Sequence, residues 1–419
     1  MHRRVFAKSG ALALVTMGLS PSFLRRTVLA TELPRARRGK VLVCLFQRGA
    51  ADALNIVVPH GEAAYHRLRP SIGIARPARG NDGAALDLDG FFGLHPALAP
   101  LHRLYTDGML APIHAVGSPS ATRSHFDAQD YMESGTPDRK STRSGWLNRY
   151  LAVSGTCEAC PRTPFRAVSM TAQTARILDG DEPAVAMASL GDFAVRATPA
   201  AAERLEALYR RGDADLVHAS GREMFEAVQL LRAANPQRYR PANGADYPRS
   251  PFGQRLLEVA QLIKAGVGLE VAFADVGGWD THVNQGGATG LLALRLRDFA
   301  ASIAAFVTDL GDRMDDVVIL TMSEFGRMAR QNGTGGTDHG HAGAMFVIGS
   351  HVAGGRVHGR WPGLEPEQLF EGRDLALTTD FRAVFSEVLA YHLGAADLSA
   401  VFPGYTESRL AWPGVFRRA

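Results

Sequence analysis

The residues best suited to metal chemistry are aspartate, glutamate and histidine side chains in short polar loops. The densest group is Asp338-His339-Gly340-His341, in which two histidines flank one glycine. A second group, Asp280-Thr281-His282, also pairs a carboxylate with an imidazole, although a turn closed by the Asp280 side chain is an alternative. Carboxylate and imidazole ligands together suit zinc, manganese or iron(II). We therefore predict a divalent metal site, with zinc first and manganese, magnesium or calcium as alternatives.

Further carboxylates extend this candidate ligand set. Asp52 and Asp275 each come shortly after an apolar run, and Glu324 follows another. Asp52 could instead cap a helix or turn, and Glu324 could form an ion pair with Arg327. The complete predicted set of metal ligands is Asp52, Asp275, Asp280, His282, Glu324, Asp338, His339 and His341.

A second class of candidates could act on a substrate directly. Ser124 opens a predicted helix, where a hydroxyl can be a nucleophile near the positive end of the helix dipole or only an N-cap. Arginines that lie near the predicted loops could hold an anion, although surface ion pairs are commoner. The predicted catalytic residues are Ser124, Arg123, His125, Arg48 and Arg327. His95 and His114 lie among apolar residues and are predicted to be core or edge histidines.

Five short apolar runs predict the strands that position these side chains. They cover 40–46, 109–116, 269–274, 317–322 and 344–348. Helical spacing occurs over 94–106, 124–134, 199–235, 252–265, 291–310 and 379–393. Apolar strands that alternate with helices favour a parallel sheet covered on both faces. In such sheets ligands bind beyond the carboxyl ends of the strands, so we expect the polar candidates to meet at that edge, on the assumption that all strands run parallel.

The amino-terminal residues resemble an export signal. Arg3-Arg4 precedes Phe6 and Lys8, an apolar stretch follows over 11–19, and small residues near Ala30 suit a signal peptidase. We predict a twin-arginine signal over 1–30, a linker over 31–39 and one domain over 40–419, with a helical and loop insertion at about 136–250. No later apolar run approaches about 18 residues, so no membrane span is expected after the leader.

The charge of the chain is concentrated in this leader. The formal net charge is +4, but positions 1–40 hold nine basic residues and one acidic residue, which leaves 37 basic and 41 acidic residues. The basic balance therefore does not indicate nucleic-acid binding. Cys44 lies in an apolar run and is predicted to be a core residue, whereas Cys157 and Cys160 could form a small-loop disulfide or, less simply, a redox pair.

Several segments resemble the family catalogued as domain of unknown function 1501. They are FQRGAADALNIVVPHG (46–61), GLHPALAPLHRLY (93–105), AVGSPSATRSHFDAQDYMESG (115–135), DVGGWDTHVNQ (275–285), LTMSEFGR (320–327) and GTDHGHAGAMFVIG (336–349). Members of that family commonly carry twin-arginine leaders, and the family is grouped with the alkaline-phosphatase-like superfamily. The resemblance implies a three-layer α/β/α sandwich with a mostly parallel central sheet and a site at the strand carboxyl ends.

The resemblance also implies roles for particular residues. The first metal aspartate of the superfamily would correspond to Asp52 and its nucleophile to Ser124. Ligands after a middle strand would fall on Asp275 or Asp280 together with His282, and a late histidine ligand on His339 or His341. The superfamily's Asp-His pair is replaced by Ser323-Glu324-Phe325, and no Cys-x-Pro-x-Arg sulfatase motif occurs.

These features together predict a periplasmic or secreted, metal-dependent hydrolase of phosphate or sulfate esters. Its substrate would be a small anionic ester or a molecule derived from a polysaccharide. The alternative is a catalytically degenerate descendant that serves as a periplasmic binding or partner protein. Because the family is often encoded beside the domain of unknown function 1800 family, a member of that family is a candidate partner.

Overall fold

The computed structural model describes residues 39–154, 163–190, 239–406 and 408–417. The predicted leader, the predicted helical stretch over 199–235, and Cys157 and Cys160 lie outside the described residues. Within them, none of the helices is long and apolar enough to cross a membrane.

An eight-stranded sheet forms the centre of the fold, and a three-stranded sheet lies beside it. The strands are β1 (Val41–Gln47), β2 (Val57–Val58), β3 (Leu86–Asp87), β4 (Gly93–Leu94), β5 (Leu110–Gly117), β6 (Ala167–Ser169), β7 (Val185–Ala186), β8 (Val271–Val276), β9 (Val317–Met322), β10 (Gly343–Ile348) and β11 (Thr379–Asp380). The α-helices are Ala53–Ile56, Ala63–Leu68, Ala99–Thr106, His125–Ser134, Trp146–Val153, Pro251–Ala265, Leu291–Leu310, Phe381–Tyr391 and Leu398–Val401. The 3-10 helices are Pro96–Leu98, Arg176–Leu178, Gly311–Asp316, Pro366–Gln368 and Arg409–Ala411.

The side chains of β1 show why the sheet is covered on both faces. All seven residues of this strand are buried. Val43 and Leu45 enter one core with helices Pro251–Ala265 and Leu291–Leu310, whereas Cys44 and Phe46 enter the other with helices Trp146–Val153 and Phe381–Tyr391. Successive strand residues point to opposite faces, so a continuous apolar run fills two cores at once. The predicted three-layer α/β/α fold is confirmed, and so is the placement of Cys44 in the core.

The order of the large sheet is β11-β5-β10-β9-β1-β8-β6-β7. β1 lies in the middle and pairs in parallel with β8 and β9. β10 runs antiparallel to both of its neighbours, β5 and β9. The assumption that all strands run parallel is therefore wrong for this one strand. The reversal has a functional consequence, because it places the start of β10, rather than its end, at the carboxyl ends of the other strands.

The predicted elements agree closely with the structure where periodicity is strong. The helix Leu291–Leu310 and the strand Val317–Met322 have the predicted bounds. The third strand begins and ends two residues later than predicted, at Val271–Val276. The short strands β6 and β7, which lie within the predicted insertion and extend one edge of the sheet, were not predicted. Strands of two or three residues carry too little pattern to be recognised.

A buried ion pair fixes the turn that follows β1. Arg69 Nη1 lies 2.5 Å from Asp52 Oδ2, and neither side chain is exposed to solvent. Arg69 also donates to the carbonyl oxygens of Ala329 and Met328, at 2.9 and 3.0 Å. The pair therefore joins the first turn of the domain to a segment about 260 residues later in the chain. A charge that is buried with a partner becomes costly when the partner is removed.

We expect Arg69→Met to lower the free energy of unfolding by about 3–5 kcal/mol, because it leaves the Asp52 carboxylate buried and unpaired. Urea denaturation followed by circular dichroism would measure the change. The matched control is Arg103→Met, since Arg103 is 86% exposed and lies 3.9 Å from Asp107. That variant should change stability by less than about 1 kcal/mol. Equal effects in the two variants would contradict the structural role of the buried pair.

Candidate metal centre

Three imidazoles and one carboxylate converge at the carboxyl edge of the sheet. The Nε2 atom of His339 lies 2.9 Å from Nε2 of His125 and 3.0 Å from Nε2 of His282. The Asp280 carboxylate lies 3.0 Å from His282 Nε2, 3.3 Å from His339 Nε2 and 3.5 Å from His125 Nε2. We call these four residues the metal-ligand cluster. A subset of them, His125, Asp280 and His339, has ligand atoms that all lie within 4.8 Å of one another.

The second ring nitrogen of each histidine faces an acceptor. His125 Nδ1 lies 2.8 Å from Glu324 Oε1, and His282 Nδ1 lies 3.0 Å from Asp338 Oδ1. His339 Nδ1 lies 2.9 Å from the carbonyl oxygen of Arg123. A carbonyl or an ionised carboxylate can only accept, so Nδ1 must carry the proton in all three neutral rings. Carboxylate and carbonyl partners of this kind orient histidine ligands around metal ions.

This proton assignment leaves the Nε2 lone pair of His339 close to those of His125 and His282, at 2.9 and 3.0 Å. Lone pairs about 3 Å apart repel unless a cation lies between them. Tetrahedral zinc with nitrogen ligands at about 2.0–2.1 Å holds its ligand atoms about 3.3 Å apart. The observed separations of 2.9, 3.0 and 3.3 Å are close to that value. The spacing of His125, Asp280 and His339 therefore fits a zinc-like ion, and His282 lies next to this set, 3.0 Å from Asp280 and 3.0 Å from His339 Nε2.

The charge of Asp280 is set by a buried arginine. Burial alone would raise the pKa of the Asp280 carboxyl, but the hydrogen bond and charge of Arg327, together with the neighbouring histidines, outweigh burial and the pKa is lowered. Arg327 Nη1 donates to Asp280 Oδ1 at 2.7 Å, and the Arg327 side chain is fully buried. The carboxylate is thus ionised and correctly placed for metal binding. Asp280 remains 44% exposed and His282 40% exposed, so one side of the cluster is open to solvent.

Glu324 is a buried carboxylate that orients the His125 ring through its Nδ1 atom. Its Oε1 accepts hydrogen bonds from the Gly49 amide and from Gln129 Nε2, each at 2.9 Å, in addition to the His125 contact. Burial would raise the pKa of Glu324, but these hydrogen bonds lower it. The hydrogen bond to Glu324 in turn raises the pKa of His125. Burial lowers the pKa of His339.

Glycine allows the turns that carry these groups to approach closely. Gly49 has a φ of +119°, and a Cβ added there would lie 2.7 Å from the backbone nitrogen of Asp280. Gly326 exchanges hydrogen bonds with the loop before β10, since its amide donates to the His341 carbonyl at 2.8 Å and its carbonyl accepts from the Gly340 amide at 2.9 Å. A side chain at either glycine would separate the turns that bring Glu324, Asp280 and His339 together.

Phe325 occupies the position where the resemblance implies a histidine. Its ring lies 5.0 Å from that of His125 and 5.2 Å from that of His339, measured between centroids. Phe325 is buried and therefore forms an apolar wall against two of the metal-binding rings. Here an aromatic side chain restricts the rings of the cluster instead of adding a ligand.

The structure does not bring every predicted ligand into the cluster. Asp52 is held in its ion pair with Arg69 and also accepts from Gln285 Nε2 at 2.6 Å. Asp275 forms ion pairs with Arg48 and Arg255. The ring of His341 stacks on Phe370 at 4.2 Å, and burial lowers its pKa to about 4. Glu324 and Asp338 contact the Nδ1 atoms of His125 and His282. They do not contact the Nε2 atoms that face the centre, so they are outer partners of the centre.

The structure places the predicted catalytic residues in a helix cap, in ion pairs and in the metal-ligand cluster. Ser124 is exposed and acts as the N-cap of the helix His125–Ser134, where its hydroxyl accepts from the Asp127 amide at 3.5 Å. Arg123 pairs with Glu371 and Asp374, each at 2.6 Å. Arg48 pairs with Glu133 at 2.9 Å as well as with Asp275. Arg327 pairs with Asp280, not with Glu324. His125, predicted as catalytic, lies among the ligands.

Two residues of the site were missed from the sequence. Gln129 bridges Arg48 and Glu324, because its Oε1 accepts from Arg48 at 3.0 Å while its Nε2 donates to Glu324. Asp374 is fully buried and holds Arg123. The position of Gln129 one helical turn after His125 was the only sequence signal for its role. His95 and His114 are buried as predicted, and both make hydrogen bonds to backbone carbonyls.

A match to one protein family agrees with the family resemblance. The family described as protein of unknown function DUF1501 matches residues 110–402. Among solved structures, the PsFucS1 sulfatase from Pseudoalteromonas sp. is 13% identical with a TM-score of 0.36, and the match covers 91% of this chain and 74% of that one. The lipoteichoic acid synthase LtaP from Listeria monocytogenes is 10% identical with a TM-score of 0.27, and coverage is 70% and 57%. No curated protein matches the chain.

We expect the purified protein to bind about one equivalent of zinc, and His339→Ala to remove it, because His339 contacts all three other members of the cluster. Elemental analysis after gel filtration in zinc-containing buffer would measure the stoichiometry. His341→Ala is the matched control, since His341 lies two residues away but stacks on Phe370. That variant should retain the metal. Retention by both variants would exclude the cluster as the binding site.

Proposed function

The chain belongs to the DUF1501 family, and we propose that it is an exported, metal-dependent hydrolase of phosphate or sulfate esters. The observation that carries this proposal is the proximity of the Nε2 atoms of His125, His282 and His339 to the Asp280 carboxylate on a side of the cluster that faces solvent. A divalent ion at such a position supplies Lewis acidity to an ester oxygen or to a water molecule. Side chains of this protein would hold the ligands of that ion in place and supply the nucleophile.

The chain's own side chains would hold the centre in one arrangement during a reaction. Glu324 and Asp338 keep the Nδ1 protons of His125 and His282 in place, so that both rings present lone pairs. Arg327 holds the Asp280 carboxylate from the buried side. Preorganised ligands of this kind need no rearrangement when a substrate arrives, which is the main electrostatic advantage of an enzyme site.

We assign the nucleophile to Ser124. It lies in the chain between Arg123, whose carbonyl accepts from His339, and His125, which is itself in the cluster. Its hydroxyl is exposed, and it stands at the amino end of a ten-residue helix, where negative charge is stabilised. The described arginines predicted as anion holders, Arg48, Arg123 and Arg327, are all engaged in ion pairs. None of them is therefore assigned to the substrate.

A second candidate function is a non-catalytic binding or partner protein, for which a member of the DUF1800 family is one proposed partner. The observation that favours it is the position of His282, 3.0 Å from Asp280 and from His339 Nε2, where it would add a fourth protein ligand to His125, Asp280 and His339. Four protein ligands complete a tetrahedral zinc site, and closed sites of this type are usually structural, whereas catalytic sites keep one position open. The two candidates differ in turnover but not in metal binding, so one set of variants separates them.

We expect the zinc-loaded protein to hydrolyse p-nitrophenyl phosphate or p-nitrophenyl sulfate, with kcat/KM reduced at least about 100-fold in His125→Ala and His339→Ala. Ser124→Gly should abolish turnover while zinc remains bound, because glycine retains the helix start at a cost of only a few tenths of a kcal/mol. His341→Ala serves as the control with retained activity.

The outcomes of this assay divide the candidates. Zinc binding without measurable turnover on either ester would favour the binding protein. Full activity in Ser124→Gly, together with its loss in His339→Ala, would exclude Ser124 as the nucleophile and leave a water molecule in that role.

Export rests on residues 1–30, which we propose to be a twin-arginine signal. Replacement of both Arg3 and Arg4 by lysine preserves the positive charge but removes the paired guanidinium groups. We expect the double variant to accumulate in the cytoplasm and the wild type in the periplasm, as measured by cell fractionation and immunoblotting. Replacement of Arg25 and Arg26 by lysine is the matched control and should leave export unchanged. Equal export of all three proteins would contradict the twin-arginine route.

A further inference from the structure

A cavity of about 160 Å³ lies behind the loop that carries His339. Its lining includes the apolar residues Leu68, Leu364 and Leu369 and the basic residues Arg67, Arg330 and Arg373. A cavity of about 150 Å³ with apolar walls is large enough to hold a benzene-sized molecule. The cavity thus combines room for a small apolar body with several positive charges.

The charges of this cavity are not balanced by its own lining. Glu365 is the acidic residue in the lining, and it pairs with Arg67 at 2.6 Å. Arg373 contacts Asp374 at 3.1 Å, but Asp374 is shared with Arg123 and lies outside the lining. Arg330 is exposed, and no ion pair to it occurs within the described part of the chain. Arg67 and Arg373 each contact a carboxylate, so Arg330 supplies the excess positive charge among the described residues, which favours an anionic occupant.

Two hydrogen bonds to backbone carbonyls connect lining residues of this cavity to the loop that carries His339. The amide of Met328, a lining residue, donates to the Asp338 carbonyl at 2.8 Å. Arg373 Nη2 donates to the carbonyl of His339, also at 2.8 Å. The cavity and the cluster therefore lie on opposite sides of one short loop. The ring nitrogens of His339 take no part in these contacts, so the cavity does not need a bound ion to keep its shape.

We propose that this cavity is a second ligand site, which binds a small organic anion with an apolar body and one carboxylate, sulfate or phosphate group. The apolar body packs on the leucine side chains, and the anionic group lies among Arg67, Arg330 and Arg373. Arginine presents several donors in a planar fork that matches the geometry of such oxyanions. The site is separate from the proposed hydrolytic centre, and its assignment does not depend on hydrolysis.

Benzenesulfonate is a suitable probe, because it joins a benzene ring to one strong anion. Its binding to the zinc-loaded protein would be measured by isothermal titration calorimetry. We expect saturable binding with a 1:1 stoichiometry, and a Kd at least about tenfold weaker in Arg330→Glu, since charged hydrogen bonds contribute about 1.5–3 kcal/mol. Arg103→Glu makes the same charge change on an exposed helix and should leave the Kd unchanged. Benzenesulfonamide, which is neutral, should bind at least about tenfold more weakly.

The His339→Ala variant separates this proposal from the metal centre. It should lose zinc but retain benzenesulfonate binding, because only the backbone carbonyl of His339 contacts the cavity arginines. Binding that is lost in His339→Ala and unchanged in Arg330→Glu would place the anion at the metal and overturn the second site. Equal weakening by Arg330→Glu and Arg103→Glu would show a general effect of charge and would also overturn it.

Discussion

The arrangement of the candidate centre depends on where the imidazole protons are held. Glu324, Asp338 and the carbonyl of Arg123 each accept from an Nδ1 atom, which leaves the Nε2 lone pair of His339 close to those of His125 and His282. That proximity would be repulsive without a cation, so the protein must use folding energy from elsewhere to maintain it. Much of that energy comes from the sheet, whose central strands are apolar and buried on both faces.

One reversed strand makes this arrangement possible. If β10 ran parallel to β9, the loop with Asp338 and His339 would lie at the opposite edge of the sheet from His125 and Asp280. Because β10 is antiparallel to β9 and β5, its amino end meets the carboxyl ends of the others. The Gly49 amide reaches Glu324 independently of this reversal, because the two residues follow the parallel neighbours β1 and β9. The centre is therefore a product of strand direction as much as of ligand identity.

The fold class and several residues of the centre were predictable from the sequence. The direction of β10 and the partners of individual side chains were not. Long apolar runs and a 20-residue helix identified the sheet layers, and Asp280, His282 and His339 were recognised by residue type and loop context. The direction of β10 could not be predicted from the sequence, because the local hydrophobic pattern of a strand does not show whether it runs parallel or antiparallel to its neighbours. Asp52 was taken for a ligand because its partner, Arg69, is an ordinary residue until the fold brings the two together. His125 was predicted as catalytic, and its proximity to His339 and Asp280 likewise becomes visible only in the fold.

The sequence separations within the cluster limit the order in which it can be built. The contact between His125 and His339 spans 214 positions, and both Asp280 and His282 lie between them. During synthesis on the ribosome, the first histidine emerges long before the last, so no partial chain that lacks residue 339 contains the full ligand set. Loading with an ion would thus report that nearly the whole domain has been made and folded. Under the proposed export of the folded protein, metal occupancy would therefore mark a chain that is completely synthesised.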